Sequence, residues 1–223
     1  MEYTLIRKKR KTFGIKISLE GEVLVYAPLK ASKSSVESLL REKEEWIAKV
    51  RSRVLEGLNQ GLDEVPFLGR KYSLEIVKGC SGDASVEFDG SRFRAFCGES
   101  EATGFREELK AALDLWYRQK LLDIVTVRIA ELSALMGVFP GKVSVRFQKT
   151  IWGSCSWDNN ISINAKLALA PPEIIDYILV HELCHIKHKN HSSAFWLAVE
   201  SVLPDYKERK SWLKKNGYSL LLF

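Results

Sequence analysis

The sequence has no apolar run of the roughly 20 residues that a helix needs to cross a bilayer, so no membrane span is expected. The opening stretch MEYTLIRKKRKTFG lacks the apolar centre of a secretory leader, and a cytoplasmic location is expected. Cysteine is scarce, with four in 223 residues (80, 97, 155 and 184), and none stands in a C-x-x-C pair. An intracellular compartment would keep them reduced, and Cys155 and Cys184 read as small packed residues and not as ligands. No internal repeat or low-complexity tract is present. The net charge of +6 is spread over both halves of the chain, which leaves no acidic or basic tail.

The sequence has four histidines, and all of them, at 181, 185, 188 and 191, fall between Pro171 and Trp196. His181-Glu182-Leu183-Cys184-His185 is an H-E-x-x-H pattern. On a helix it puts two imidazoles on one face, one turn apart, with a carboxylate beside the first: a zinc site with its own base. The context suits a helix. Pro171 and Pro172 fit a first turn, Glu173 and Asp176 put negative charge at its positive end, and Ile174, Ile175, Ile178, Leu179, Leu183 and Ile186 recur at helical spacing.

A catalytic zinc ion takes three protein ligands and leaves one position for water. His188 has the right angle on the helix, but it would lie about 10 Å along the axis from His181 at ~1.5 Å per residue. His191 reaches the ion if the chain turns at Lys189-Asn190, where Asn tolerates a left-handed backbone. Glu200, on the next helical stretch, is the rival carboxylate ligand. The alternative for the whole cluster is a set of packed or solvated histidines.

Upstream, Thr4–Arg7, Phe13–Leu19 and Val23–Tyr26 are β-prone runs, with Glu20-Gly21 as a turn. A Ser34-Ser35 cap then opens an amphipathic helix over Val36–Leu55, and a loop covers residues 56–64. Pro66–Val77, Val86–Phe88 and Phe93–Phe96 form a second strand group, the last two joined by the hairpin signal Asp89-Gly90. A long helix follows over Phe105–Met136, ended by Gly137. The expected fold class is α+β: residues 1–100 form a mainly β domain with one helix, and residues 101–223 carry the chemistry. The basic run Arg7–Lys11 fits a solvated strand edge, where lysine discourages edge pairing, or a patch for phosphate or nucleic acid.

Between the two long helices lie the strand-like Val143–Phe147 and Ile161–Asn164, with a turn at Asp158-Asn159-Asn160. Trp152-Gly153-Ser154 puts a glycine in a strand, which suits a close approach by ligand or backbone, or else a structural bulge. An edge strand there could pair with an extended substrate backbone. Arg146 and Lys149 are cations that could steady an oxyanion or hold a phosphate, or simply face solvent.

Several motifs together resemble one family. R-F-Q-K-T-I-W-G-S-C-S from Arg146, I-S-I-N from Ile161, the run from Asp176 to Trp196, and P-D-Y-K-E-R-K-S-W-L from Pro204 are similar to the YgjP-like metallopeptidase domains, relatives of SprT-type metalloproteases. The resemblance extends to the N-terminal R-K-K-R-K-T and to Ala27-Pro28. It implies a minimal zincin fold with a small sheet and an active-site helix, one zinc ion (or another divalent metal) at His181, His185 and His191, and Glu182 as the catalytic carboxylate. Thr150-Ile151 stands where such proteins often carry arginine, which opens the role of nearby Lys149. The metzincin pattern also has this histidine spacing, but it needs glycine in place of His188 and a later methionine turn, and no Met follows Met136.

Three functions follow as expectations. The first is hydrolysis of a peptide bond by metal-activated water, with Glu182 moving the proton. The second, carried by some relatives in the resembled family, is cleavage of a nucleoside triphosphate of the UTP type at a phosphoanhydride. The third is a nucleic-acid-associated binding module with a vestigial site. Peptide or nucleotide is thus the expected partner, nucleic acid a further one through Arg7–Lys11, and oligomeric state is not legible.

Overall fold

The computed structural model describes residues 2–17, 21–59, 63–98 and 102–222. The fold is α+β, with six α-helices and three small sheets among the described residues. The chain divides into two compact units, Met1–Asp63 and Glu64–Phe223.

In the first unit, β1 (Thr4–Lys8), β2 (Gly14–Ile17) and β3 (Val23–Pro28) form a sheet of order β1-β3-β2, with β1 parallel and β2 antiparallel to the central strand. Val23, Val25 and Ala27 alternate inward and are buried, as a strand with one covered face requires. The end of the second expected strand, and Glu20 of the expected turn, lie outside the described residues. The single helix expected over Val36–Leu55 is two: α1 (Lys33–Glu42) and α2 (Glu44–Asn59), separated at Lys43. Its cap is Ser32 and not Ser34-Ser35; the Ser32 hydroxyl accepts the Ser35 N–H at 3.1 Å. The segment expected as a loop from residue 56 is helical to Asn59.

Within the basic run, the Arg7 guanidinium donates to the carbonyls of Pro28, Leu29 and Ala31, and Lys8 lies over the Tyr26 ring. Arg10 donates to the Thr12 hydroxyl at 3.4 Å, so three of the five cations are tied to their own fold.

The second unit opens with β4 (Glu64–Phe67), β5 (Arg70–Lys78), β6 (Ser85–Phe88) and β7 (Phe93–Cys97), in the order β4-β5-β7-β6. Leu68 and Gly69 turn the first hairpin with φ of 48° and 78°, the left-handed pair a two-residue turn demands. Asp89 closes the second, as expected: its carboxylate accepts the Ser91 hydroxyl and the N–H groups of Ser91 and Arg92, which holds its pKa far below the usual range.

The long helix α3 (Ala102–Met136) ends at Gly137, φ 59°, where the sequence marks its end. Trp116 of α3 meets Phe67 and Phe93 edge to face at 4.9 and 4.8 Å, and the Tyr117 hydroxyl donates to the Pro66 carbonyl at 2.6 Å. These contacts tie the four-stranded sheet to α3 within the second compact unit. The four-stranded sheet cannot bury its aromatic face without α3.

The last sheet has β8 (Val143–Arg146), β9 (Gly153–Cys155) and β10 (Ile161–Asn164), in the order β8-β10-β9. A 3-10 turn over Ala165–Leu169 leads into α4 (Pro172–Lys187), α5 (Ser193–Val202) and α6 (Tyr206–Leu222). The Arg128 guanidinium of α3 grips Asp176 of α4 with two bonds of 2.9 Å, so α3 braces the histidine-bearing helix from behind. No helix is long and apolar enough to cross a membrane among the described residues.

Candidate metal centre and active-site cleft

α4 starts as the two prolines dictate, with Pro171 as its cap and Pro172 in its first turn. Ile174, Ile175, Leu179 and Leu183 anchor it in the core, each at most 2% exposed. The opposite stripe, Tyr177, Ile178, His181, Glu182 and His185, follows i, i+4 spacing and carries the polar groups.

His191 joins His181 and His185 there, and one nitrogen from each of the three lies within 4.8 Å of the others. His188 and Glu200 stand outside this cluster; the Glu200 carboxylate takes Lys207 at 3.4 Å. The route to His191 differs from the expected one. The chain leaves α4 at His188 in extended backbone, φ −123°, and Asn190 is not left-handed. The left-handed asparagine is instead Asn159, φ 60°, in the expected turn after β9.

The exit at His188 has a chemical consequence. Its carbonyl lies 3.0 Å from His185 Nδ1, which donates to it and leaves Nε2 with a free lone pair. His181 and His191 face each other Nε2 to Nε2 at 3.0 Å, close to the ~3.3 Å between ligand atoms of a tetrahedral ion with Zn–N bonds of about 2.0–2.1 Å. Buried Phe195 packs against all three imidazoles with centroids 4.6–4.9 Å away. His181 Nδ1 has no hydrogen-bond partner among the described residues, so packing orients this ring where a carbonyl orients His185. Burial, then His185 and His191, push the His181 pKa down to about 3, and burial lowers that of His185. Neutral imidazoles are the form a metal ion takes.

Glu182 is 5% exposed, and burial raises its pKa to about 7. Its carboxylate rests on β9. A Cβ added at Gly153 would come within 2.6 Å of Glu182 Oε1, so the glycine in this strand makes room for the carboxylate. Trp152, one residue earlier, packs on α6 at Gly217, where an added Cβ would meet the indole at 2.9 Å. Asn216-Gly217 reads in the sequence as a terminal cap, yet α6 runs through it to Leu222, because the glycine serves a close approach.

The cleft of about 370 Å³ in front of Glu182 is lined by Trp152, Gly153, Tyr177 and His181, and by Lys210 and Lys214 of α6. Of the residues expected to bind substrate, Trp152 and Gly153 line it. Arg146, Lys149 and Ser154 do not: the two cations are exposed, and Ser154 pairs with Ser162 inside the sheet.

Fully buried Asn164 is a residue that sequence reasoning missed. Its side-chain amide donates to the carbonyls of Gln148 and Ile151 at 2.9 and 2.8 Å, and its N–H donates to the Trp152 carbonyl at 2.8 Å, fixing the approach to β9. Asn164→Ala orphans two inward carbonyls at about 1–3 kcal/mol each. Urea unfolding is expected to record a loss of about 2–4 kcal/mol; a change below 1 kcal/mol would remove Asn164 from this role.

The family model described as YgjP-like, metallopeptidase domain, matches residues 11–216. Among solved structures, the metallopeptidase zymogen abylysin of Pyrococcus abyssi is 30% identical, with the alignment covering 41% of this chain and 93% of that one at a TM-score of 0.38. No curated protein matches. Because the family match spans the β-rich N-terminal part, the histidine cluster and most of α6, the chain belongs to the YgjP-like metallopeptidase domains.

Proposed function

We propose that this protein is a zinc-dependent peptidase in which His181, His185 and His191 hold the ion and Glu182 is the general base. The observation that carries the proposal is the convergence of three imidazole nitrogens beside a desolvated carboxylate. When bound, a zinc ion supplies Lewis acidity and lowers the pKa of water to about 7.

The protein's own groups do the rest. Glu182, buried yet facing the cleft, accepts a proton from attacking water and returns it to the leaving amine. A raised pKa suits it to both directions of transfer near neutral pH. β9 pairs on one side with β10, and its other edge gives an extended backbone a strand to align with. Phe195 and Trp196 wall the site with apolar surface, which strengthens every charge interaction inside it.

Nucleoside triphosphate cleavage is less well supported, since Arg146 and Lys149 stand away from the cleft. A nucleic-acid module is weaker again. Arg7 is engaged by carbonyls, and a vestigial site has no use for a desolvated base at Glu182.

Protein loaded with one equivalent of zinc is expected to degrade denatured casein, to lose that activity with a chelator, and to regain it with added zinc. Chelator-sensitive hydrolysis of a nucleotide panel, with casein left intact, would replace this reading.

A further inference from the structure

The two lysines of the cleft have no part in zinc chemistry, and their setting is unusual for the helix that bears them. Neighbouring cations of α6 find carboxylates just before it: Lys207 pairs with Glu200 of α5, and Arg209 pairs with Asp205 at 2.9 Å. Lys210 and Lys214, one turn apart on the face toward Glu182, have no carboxylate partner among the described residues. Lys210 is also held in place. Its ammonium sits 4.0 Å from the centroid of Trp196, a ring stacked on both His191 and Tyr206. Lys210 is exposed on the cleft side, and the Trp196 ring holds its ammonium at the site wall.

The remaining lining offers nothing to balance them. Thr150, Ile151, Trp152 and Tyr177 are uncharged, and Glu182 is the one acidic lining residue, committed to proton transfer. An extended backbone laid along β9 would run from the Thr150–Trp152 end, where the lysines are, past Gly153 toward Cys155. Its side chains alternate, so one in two near the scissile bond faces α6.

We infer that Lys210 and Lys214 form a receptor for a carboxylate side chain of the peptide substrate, so that the protein cuts selectively beside acidic residues. This rests on the peptidase reading above. Each ammonium on a partly exposed carboxylate contributes modestly, and two together are expected to favour an acidic peptide over its neutral isostere by about tenfold.

The test uses zinc-loaded full-length protein and three peptides differing only by Glu, Gln or Lys near the cleavage point. Wild type is expected to prefer Glu over Gln by about tenfold in kcat/KM, and to lose most of that preference in 1 M salt, where screening reaches about 3 Å. Lys210→Glu with Lys214→Glu is expected to reverse the order in favour of the Lys peptide, while Lys210→Arg with Lys214→Arg keeps the Glu preference. Equal cleavage of all three peptides, by wild type and reversed variant alike, would overturn the receptor and leave the peptidase standing. Cleavage of none, with hydrolysis of a nucleoside triphosphate lost on charge reversal, would overturn both and reassign the lysines to phosphate.

Discussion

Glu182→Gln is expected to lower casein hydrolysis by about 10²–10⁴-fold, the usual contribution of a positioned general base, while retaining one equivalent of zinc. Glu182 is not in the three-imidazole cluster, so its loss leaves the donor set intact. The amide has the shape of the carboxylate and still fits against Gly153, which separates loss of the proton acceptor from loss of packing. Stability gives a second readout. A 5%-exposed carboxylate whose pKa burial has raised is an unfavourable charge in the fold, so the neutral amide is expected to melt no lower than wild type. Metal content by elemental analysis, a thermal melt and a casein assay on one preparation decide the matter. Activity within tenfold of wild type, with zinc bound, would remove Glu182 from the chemistry.

The legible parts of this fold share a physical property: each is set by residues a few positions apart. H-E-x-x-H, Pro171-Pro172, Asp89-Gly90 and Gly137 act through one helical turn or one hairpin, and each behaves in the structure as its local rule says. What escaped depends on distant partners. Lys210 and Lys214 look like a solvated helix face until α6 packs beside α4, and Asn164 looks like an ordinary strand end until the carbonyls of Gln148 and Ile151 converge on it. Tyr177 did carry a signal, since it precedes His181 by four residues and so shares its face. The two glycines divide along the same line. Gly153 in a strand announced a close approach without naming the approaching group, and Gly217 imitated a helix end because its use, a seat for Trp152, is 65 residues away in sequence.

Gly153→Ala is expected to lower casein hydrolysis about 10²-fold without loss of zinc, a large effect for one methyl group. The new Cβ would stand 2.6 Å from Glu182 Oε1, 2.8 Å from its Cγ and 3.0 Å from its Cδ, distances that force movement. Either β9 retreats or Glu182 swings away. β9 is pinned: Gly153 lies opposite Ile163 on β10, the Trp152 carbonyl accepts the Asn164 N–H at 2.8 Å, and the Trp152 indole abuts Gly217. Glu182 is the freer partner, with single bonds that rotate at modest cost, and a displacement of about 1 Å at a catalytic group is enough for a 10²-fold loss. A double variant isolates the cause. If the alanine acts only by displacing the base, Gly153→Ala adds little in a Glu182→Gln background, because the same proton transfer is already gone. A further 10²-fold loss there would mean that Gly153 serves the substrate directly, through strand pairing along β9, and that its fit to Glu182 is incidental to catalysis.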